Sequence, residues 1–356
     1  MNKIFIDAYL TKNFGDDLFV NILAQRYKDI QFIGLSKYHY KLDELKNLKI
    51  IKNNYIIRGI NKILRIISSE RISIKKFYSK KCKATVLIGG SMFIQNSNNI
   101  TTSYLSQISN YYILGSNFGP FKTNEYKEYY KKIFEKANDV CFREEYSYNL
   151  FNELPNVRYA SDIVFSLDTS TIKIKNSKRV IISVIDCKNR TIEDLKEQYE
   201  KKIIEISKCF IDKGYEVCFM SYCKDEGDEE AIHSILSKCD EKLKNKIKTY
   251  NYNGNINEAL NIMGDCQVVV GTRFHANIIG LLLRKTIIPI AYSDKTLNVL
   301  KDLDYKGKVF DIRKINEMDI NSIQENDLEY KCTIDKQIKD AQRQFEKLDL
   351  EFKNCY

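Results

Sequence analysis

Residues Val268–Leu283, VVVGTRFHANIIGLLL, decide how the chain folds. The opening valines show no polar alternation, which is the pattern of a strand covered on both faces of a sheet. Gly271 ends the run, and a helix is predicted to begin within the next few residues. Strand, glycine turn and helix make half of a βα unit. Arg273 and His275 then lie at or near a helix N-terminus, where unpaired N–H groups and the helix dipole favour an anion.

Outward from that stretch the same alternation recurs, the signature of parallel sheets. Strands are predicted at 4–8, 31–35, 84–88, 111–114, 140–142 and 157–160, with helices at 16–27, 125–136 and 145–154. After the polar segment around 166–178, read as a linker, the series restarts. Strands are predicted at 180–185, 216–220, 247–250, 267–270, 287–291 and 309–312. Between them fall helices from about 191 to 214, from Asp228, and near 257–263. Thr191 and Asp194 form a candidate capping box, and 334–352 reads as one charged amphipathic helix. The fold class is therefore α/β, with two Rossmann-like domains, each on a parallel sheet. Their expected bounds are 1–168 and 178–333, the second carrying the candidate anion site, with 334–356 as a C-terminal helix. The site is expected beyond the carboxyl ends of the strands.

Composition narrows the function classes. The 356 residues suit two domains with cores of their own. No apolar run approaches the ~20 residues of a membrane span, and the start, MNKIFIDAYL, places Asp7 inside its apolar run, as a first strand and not a signal peptide. The ten cysteines are scattered without a CxxC pair, which points to reduced thiols in the cytoplasm and to no metal. Much of the net charge of +10 comes from Lys52–Lys83, which carries ten Lys or Arg and the single acid Glu70. With Ile56, Ile60, Ile63, Leu64 and Ile67 among them, residues 52–83 read either as a surface for the inner face of an anionic membrane or as a core helix with a solvated basic face. The aromatics do not interleave with the basic residues as a nucleic-acid module would require.

Arg273 offers bidentate recognition of phosphate or carboxylate, and His275 offers proton transfer near neutral pH. The plain alternative is that Arg273 pairs with an acid and His275 merely caps its helix. Lys295, in Ser293-Asp294-Lys295 after the strand TIIPIAY, falls at the same sheet edge or stays a surface lysine. In the first half, Asn13, Gly15 and Asp16 (turn NFGDD), Gly89, Gly90 and Ser91 (GGS) and Asn117 (GSNFGP) form a rim of strand-end loops, the substrate-binding candidates. Asp16 or Asp17 is expected to cap the first helix. Arg143 either pairs with Glu144 and Glu145 or faces the cleft as a second anion ligand, and Asp162 follows its strand similarly.

In this order, NFGDD, LIGGSMF, LGSNFGPF, CFREEYSYNLF, YASDIVF, VVVGTRFHA and IIPIAYSDK resemble the polysaccharide pyruvyl transferase family over roughly residues 1–300. The chain departs from the family pattern in GGS for GGG, a thinner GSNFGP loop, and Asp17 where Glu is common. The resemblance implies a fold like that of GT-B glycosyltransferases. It implies transfer of the pyruvyl unit of phosphoenolpyruvate to two hydroxyls of a sugar, as a cyclic ketal on a cell-envelope polysaccharide or its lipid-linked precursor, with no cofactor. It places a catalytic histidine at His275, anion-binding arginines at Arg273 and Arg143, and a functional lysine at Lys295. A GT-B glycosyltransferase using a nucleotide sugar, with Arg273 on the diphosphate, is the competing expectation.

Overall fold

In the computed structural model of the chain, residues 3–38, 42, 45–52, 59, 63, 74–188, 190–320, 323 and 332–353 are described. Their strands form two sheets, and every pairing within each sheet is parallel. Two units result: residues 1–11, 16–167 and 336–356 in the first, and residues 12–15 and 168–335 in the second.

The first unit carries β1 (Lys3–Asp7), β2 (Gln31–Ser36), β3 (Leu48–Lys52), β4 (Ala84–Ile88), β5 (Tyr111–Ser116), β6 (Asp139–Phe142) and β7 (Val157–Tyr159), in spatial order β3-β2-β1-β4-β5-β6-β7. The central strands are apolar runs buried along their length, as helices on both faces demand. Part of the core is an aromatic cluster of Phe93, Phe118, Phe134, Phe142 and Phe151. Rings this large fill the space under short strands, and most of their contacts are edge-on.

The second unit carries β8 (Arg179–Ser183), β9 (Glu216–Ser221), β10 (Ile247–Asn251), β11 (Val268–Gly271), β12 (Thr286–Ala291) and β13 (Phe310–Asp311), ordered β10-β9-β8-β11-β12-β13. Its core is mostly aliphatic: Val180, Ile182, Val217, Val268, Val270, Ile288 and Ile290 fill the sheet centre. The deciding strand, β11, lies between β8 and β12 and is buried throughout.

Several expectations are corrected. LKIIK forms the strand β3, which its basic, half-buried sequence hid. The first helix starts at Phe14, so Asp16 and Asp17 sit inside its first turn and do not cap it; Asn13 accepts the Gly15 N–H instead. No capping box forms at Thr191, because a 3₁₀ turn over Glu193–Leu195 intervenes and the helix runs from Lys196 to Asp212. The helix expected over 145–154 is the short Glu145–Asn149. The C-terminal stretch is two helices, Asp335–Ala341 and Glu346–Lys353, around the 3₁₀ turn Gln342–Phe345. It is no separate element, since its residues from 336 onward belong to the first unit. There the buried Gln344 donates to the carbonyls of Phe142, Ala160 and Ser161 and accepts from Gly115 N–H.

Most of the basic segment 52–83 lies outside the described residues. Its described end is the helix Ile74–Lys81, which presents Phe77 to solvent with Lys81 against the ring. No helix among the described residues is long and apolar enough to cross a membrane.

Candidate active site

The second unit builds its site where strand order reverses. Chain order places β9 to one side of β8 and β11 to the other, and such a switch point opens a crevice at the carboxyl edge. The turn after β11 is tied down there: Thr272 Oγ1 lies 3.0 Å from Tyr199 Oη, and the Arg273 N–H donates to Ser183 Oγ at 3.2 Å. The helix Phe274–Leu282 then begins, with Arg273 as its N-cap and no side-chain capping bond. Asn277 donates to the carbonyls of Gly271 and Arg273, holding the turn from below.

Arg273 points into a carboxylate pair. Its Nε and Nη2 donate to Asp228, and its Nη1 donates to Glu226. Burial disfavours a charged guanidinium, but Asp228 and then Glu226 outweigh that and raise its pKa well above the ordinary value. Asp228 is sealed, and also accepts the backbone N–H groups of Tyr222 and Cys223 at 2.9 and 3.0 Å. Glu226 differs, with a side chain 40% exposed. Its Oε2 is shared between Arg273 and Arg190 Nη2 (2.9 Å), and its Oε1 accepts from Asn13 Nδ2 at 3.0 Å. Burial opposes its ionisation; Arg273 and then Arg190 more than offset this and hold its pKa at about 2.

Asn13 belongs to a short piece, Lys12–Gly15, that the first half of the chain contributes to the second unit. It is stitched in by a bridge from Asn13 to Cys223, a bond from Phe14 N–H to the Tyr222 carbonyl, and the Phe14 ring against Tyr222 and Tyr252. Gly15 lies flush on His275. A Cβ at that position would overlap the imidazole ring, so the close approach requires glycine.

From His275 the contacts run on to close a ring. Its imidazole meets Phe274 edge-on at 5.0 Å, and Lys295 Nζ stands 5.8 Å from the Phe274 ring centre and 5.5 Å from that of Tyr292. On Tyr292 also rests Arg190, at 5.4 Å, which returns to Glu226, Asn13 and Gly15. Three cations, two carboxylates, an imidazole and a phenol from four chain segments are thus linked by contacts, with Asn13 and Gly15 from a fifth. The ring unites five sequence candidates: Asn13, Gly15, Arg273, His275 and Lys295. Arg190, Glu226, Asp228 and Tyr292 went unsingled. In the sequence Asp228 marks only the start of a helix.

The remaining candidates, Asp16, Gly89, Gly90, Ser91, Asn117 and Arg143, belong to the first unit. There Arg143 Nη1 pairs with Asp162 Oδ2 and Nη2 donates to Asn117 Oδ1, both at 2.8 Å. Gly90 lies flat on the guanidinium, where a Cβ would fall 2.5 Å from Nη2. Asp16 Oδ1 stands 4.0 Å from the Cβ position of Gly89, and the Ser91 carbonyl accepts from Tyr9 Oη at 3.3 Å. The acid that the geometry gives Arg143 is Asp162, which also takes the Val164 N–H. Among the described residues, no group of three or more His, Cys, Asp or Glu is placed to hold a metal ion.

Comparisons with known proteins bear on the fold and on the family. Two solved structures match the fold at low identity. UDP-GlcNAc 2-epimerase of Methanocaldococcus jannaschii aligns at TM-score 0.60 and 9% identity, covering 98% of this chain and 99% of that one. HepE of Anabaena, solved with UDP and glucose, aligns at 0.54 and 10%, covering 100% and 98%. These are folds of the GT-B type. Amylovoran biosynthesis protein AmsJ of Erwinia amylovora is 21% identical over 262 residues, spanning 66% of this chain and 63% of that protein. The profile of polysaccharide pyruvyl transferases matches residues 13–294, from the turn against His275 to the helix that carries Lys295, and the chain belongs to that family.

Proposed function

We propose that the protein transfers the pyruvyl unit of phosphoenolpyruvate to two hydroxyls of a sugar, forming a cyclic ketal on a polysaccharide or its lipid-linked precursor. The closed ring around His275 carries this reading. A three-carbon donor with a phosphate and a carboxylate needs several cations in one place, and Arg190, Arg273 and Lys295 supply them. A guanidinium has five N–H groups. The carboxylates engage three of those on Arg273, one on each nitrogen, which leaves one on Nη1 and one on Nη2 for the donor. The start of the helix Phe274–Leu282, where no side chain caps the first N–H groups, adds to the pull on an anion.

Protonation of the donor's methylene carbon makes its neighbour electrophilic, and the first hydroxyl adds there. A second hydroxyl then displaces phosphate and closes the ketal. His275, half-buried and fixed by Gly15 and Phe274, is the proton-transfer group. Arg143, sealed against Asp162, organises the loops of the first unit in this reading.

The test has two arms. Phosphoenolpyruvate is expected to raise the melting temperature while uridine and cytidine nucleotides leave it unchanged; the reverse would assign a nucleotide-sugar transferase. With a panel of glycan acceptors, phosphate release and a pyruvyl mass gain on the glycan are expected together. His275→Ala is expected to fold normally and lose about 10²–10⁴-fold in turnover. Full turnover by that variant would remove His275 from the chemistry.

A further inference from the structure

Tyr292 is the residue of the ring that the reading above leaves without a task. It follows β12 directly, and its ring packs against the aliphatic core of the second unit while Arg190 and Lys295 lie over it. The hydroxyl end is treated differently from those of the unit's fully buried tyrosines. Tyr199 Oη is engaged by Thr272 and by the Ile185 N–H, and Tyr222 Oη by Met263 Sδ. No described residue hydrogen-bonds the Tyr292 hydroxyl, and it is not among the buried polar atoms left without a partner. That leaves the hydroxyl of this half-buried residue with some access to solvent.

We infer that the Tyr292 hydroxyl is a second proton-transfer group of this site, serving the hydroxyl that closes the ketal. The inference rests on the pyruvyl-transfer reading. That reaction removes a proton from each of two sugar hydroxyls, places one on the donor's methylene carbon and releases one with phosphate. In the closing step the second sugar oxygen bonds to the central carbon, the carbon–phosphate oxygen bond breaks, and its electron pair leaves with phosphate. Tyr292 as phenolate takes the proton of the attacking hydroxyl and yields it to the departing phosphate oxygen, so the enzyme ends as it began. His275 is then left to the first addition and the carbon protonation.

The charges facing the phenol suit this work. Lys295 comes from the helix after β12, Arg273 from the turn after β11, Arg190 from the loop after β8, and Glu226 from the turn after β9. Burial alone would push the phenol up. Lys295, then Arg273 and Arg190, outweigh that together with the opposing Glu226, and the pKa falls below the ordinary tyrosine value. Burial instead pushes up the pKa values of Tyr199 and Tyr222.

The experiment pairs Tyr292→Phe with Tyr292→Leu in the full chain. Phe keeps the ring under Arg190 and Lys295 and removes only the hydroxyl. An ultraviolet difference titration, wild type minus Tyr292→Phe, is expected to show one phenolate forming below the ordinary tyrosine range without any substrate. In turnover, Tyr292→Phe is expected to keep KM for phosphoenolpyruvate within about threefold and to lose about 100-fold in kcat. The limb of the wild-type pH profile that rises as the phenol ionises should vanish in that variant. Wild-type kcat in Tyr292→Phe, with loss only in Tyr292→Leu, would make the ring a platform and overturn the inference. Wild-type protein that neither binds phosphoenolpyruvate nor releases phosphate from it would overturn the pyruvyl-transfer reading itself, a result separable from the first because the parent protein is then inactive too.

Discussion

Each unit buries an arginine–aspartate pair at the carboxyl edge of its sheet, and the proposed function gives the two pairs different uses. Arg143 and Asp162 follow β6 and β7, with side chains 2% and 0% exposed. Arg143 also donates to Asn117 and Asp162 also accepts the Val164 N–H, bonds to loops of their own unit. Arg273 and Asp228 follow β11 and β9 and are nearly as buried. Here, however, the guanidinium also reaches Glu226, and through it Arg190, Asn13 and a rim of half-exposed groups. A buried ion pair alone is weak evidence of function, because its desolvation cost cancels most of the attraction. In the proposed site, extra and incompletely buried charge surrounds the pair.

The comparison breaks most sharply when each pair is halved. Arg143→Met and Arg273→Met each strand a sealed carboxylate, and each is expected to cost about 3–5 kcal/mol in denaturant unfolding. Adding Asp162→Leu or Asp228→Leu should recover most of that stability in both units. Activity should return only for the first pair. Recovery of turnover by the Arg273→Met, Asp228→Leu double variant would erase the distinction drawn between the two regions.

A smaller effect is expected from the two glycines that lie on these side chains. Gly90→Ala presses on Arg143 and Gly15→Ala on His275, each an overpacking worth about 1–3 kcal/mol. Their kinetics should diverge. Gly15→Ala should lower kcat at least tenfold at temperatures where the protein remains folded, while Gly90→Ala should follow stability alone. Equal kcat values in the two variants would contradict the assignment of His275.

Glu226 gives the smallest change. Its pKa is held at about 2, below the ordinary 4.5. Its contribution is therefore complete above pH 4.5 and lost as pH falls toward 2. With the side chain 40% exposed, solvent screening reduces this to about 1 kcal/mol. Glu226→Gln should lack that acid limb in a pH series of unfolding curves. It should also bind phosphoenolpyruvate more tightly, since a competing anion leaves the two arginines. Weaker binding would make Glu226 a brace and not a counter-ion.

Much of this was legible in the sequence, for identifiable reasons. β-Branched runs such as ATVLI and VVVG mark central strands because both their faces need apolar cover, and glycine after them marks the turn to a helix. Arg273, His275 and Lys295 stood out because each follows such a turn. β3 did not, since an edge strand with lysines on its open face carries no such run. Arg190 and Glu226 stayed hidden for a different reason. Each sits in a loop whose local pattern is that of solvated charge, and only the strand order β9-β8-β11-β12 brings those loops to one edge. The partner of Arg143 was hidden likewise: adjacent Glu144 and Glu145 are nearer in sequence, but β6 and β7 pair side by side and present Asp162.

The way the chain is shared between its halves limits how the gene can be divided. Residues 12–15 complete the second half, and residues 336–353 complete the first through the carbonyls that Gln344 satisfies. A single cut in the polar segment after Leu167 would therefore give two fragments, each missing part of itself. One would lack the glycine that covers the imidazole, and the other the glutamine that ties its strand ends. Fragment expression, domain exchange and circular permutation of this protein must respect four crossings of the chain, not one.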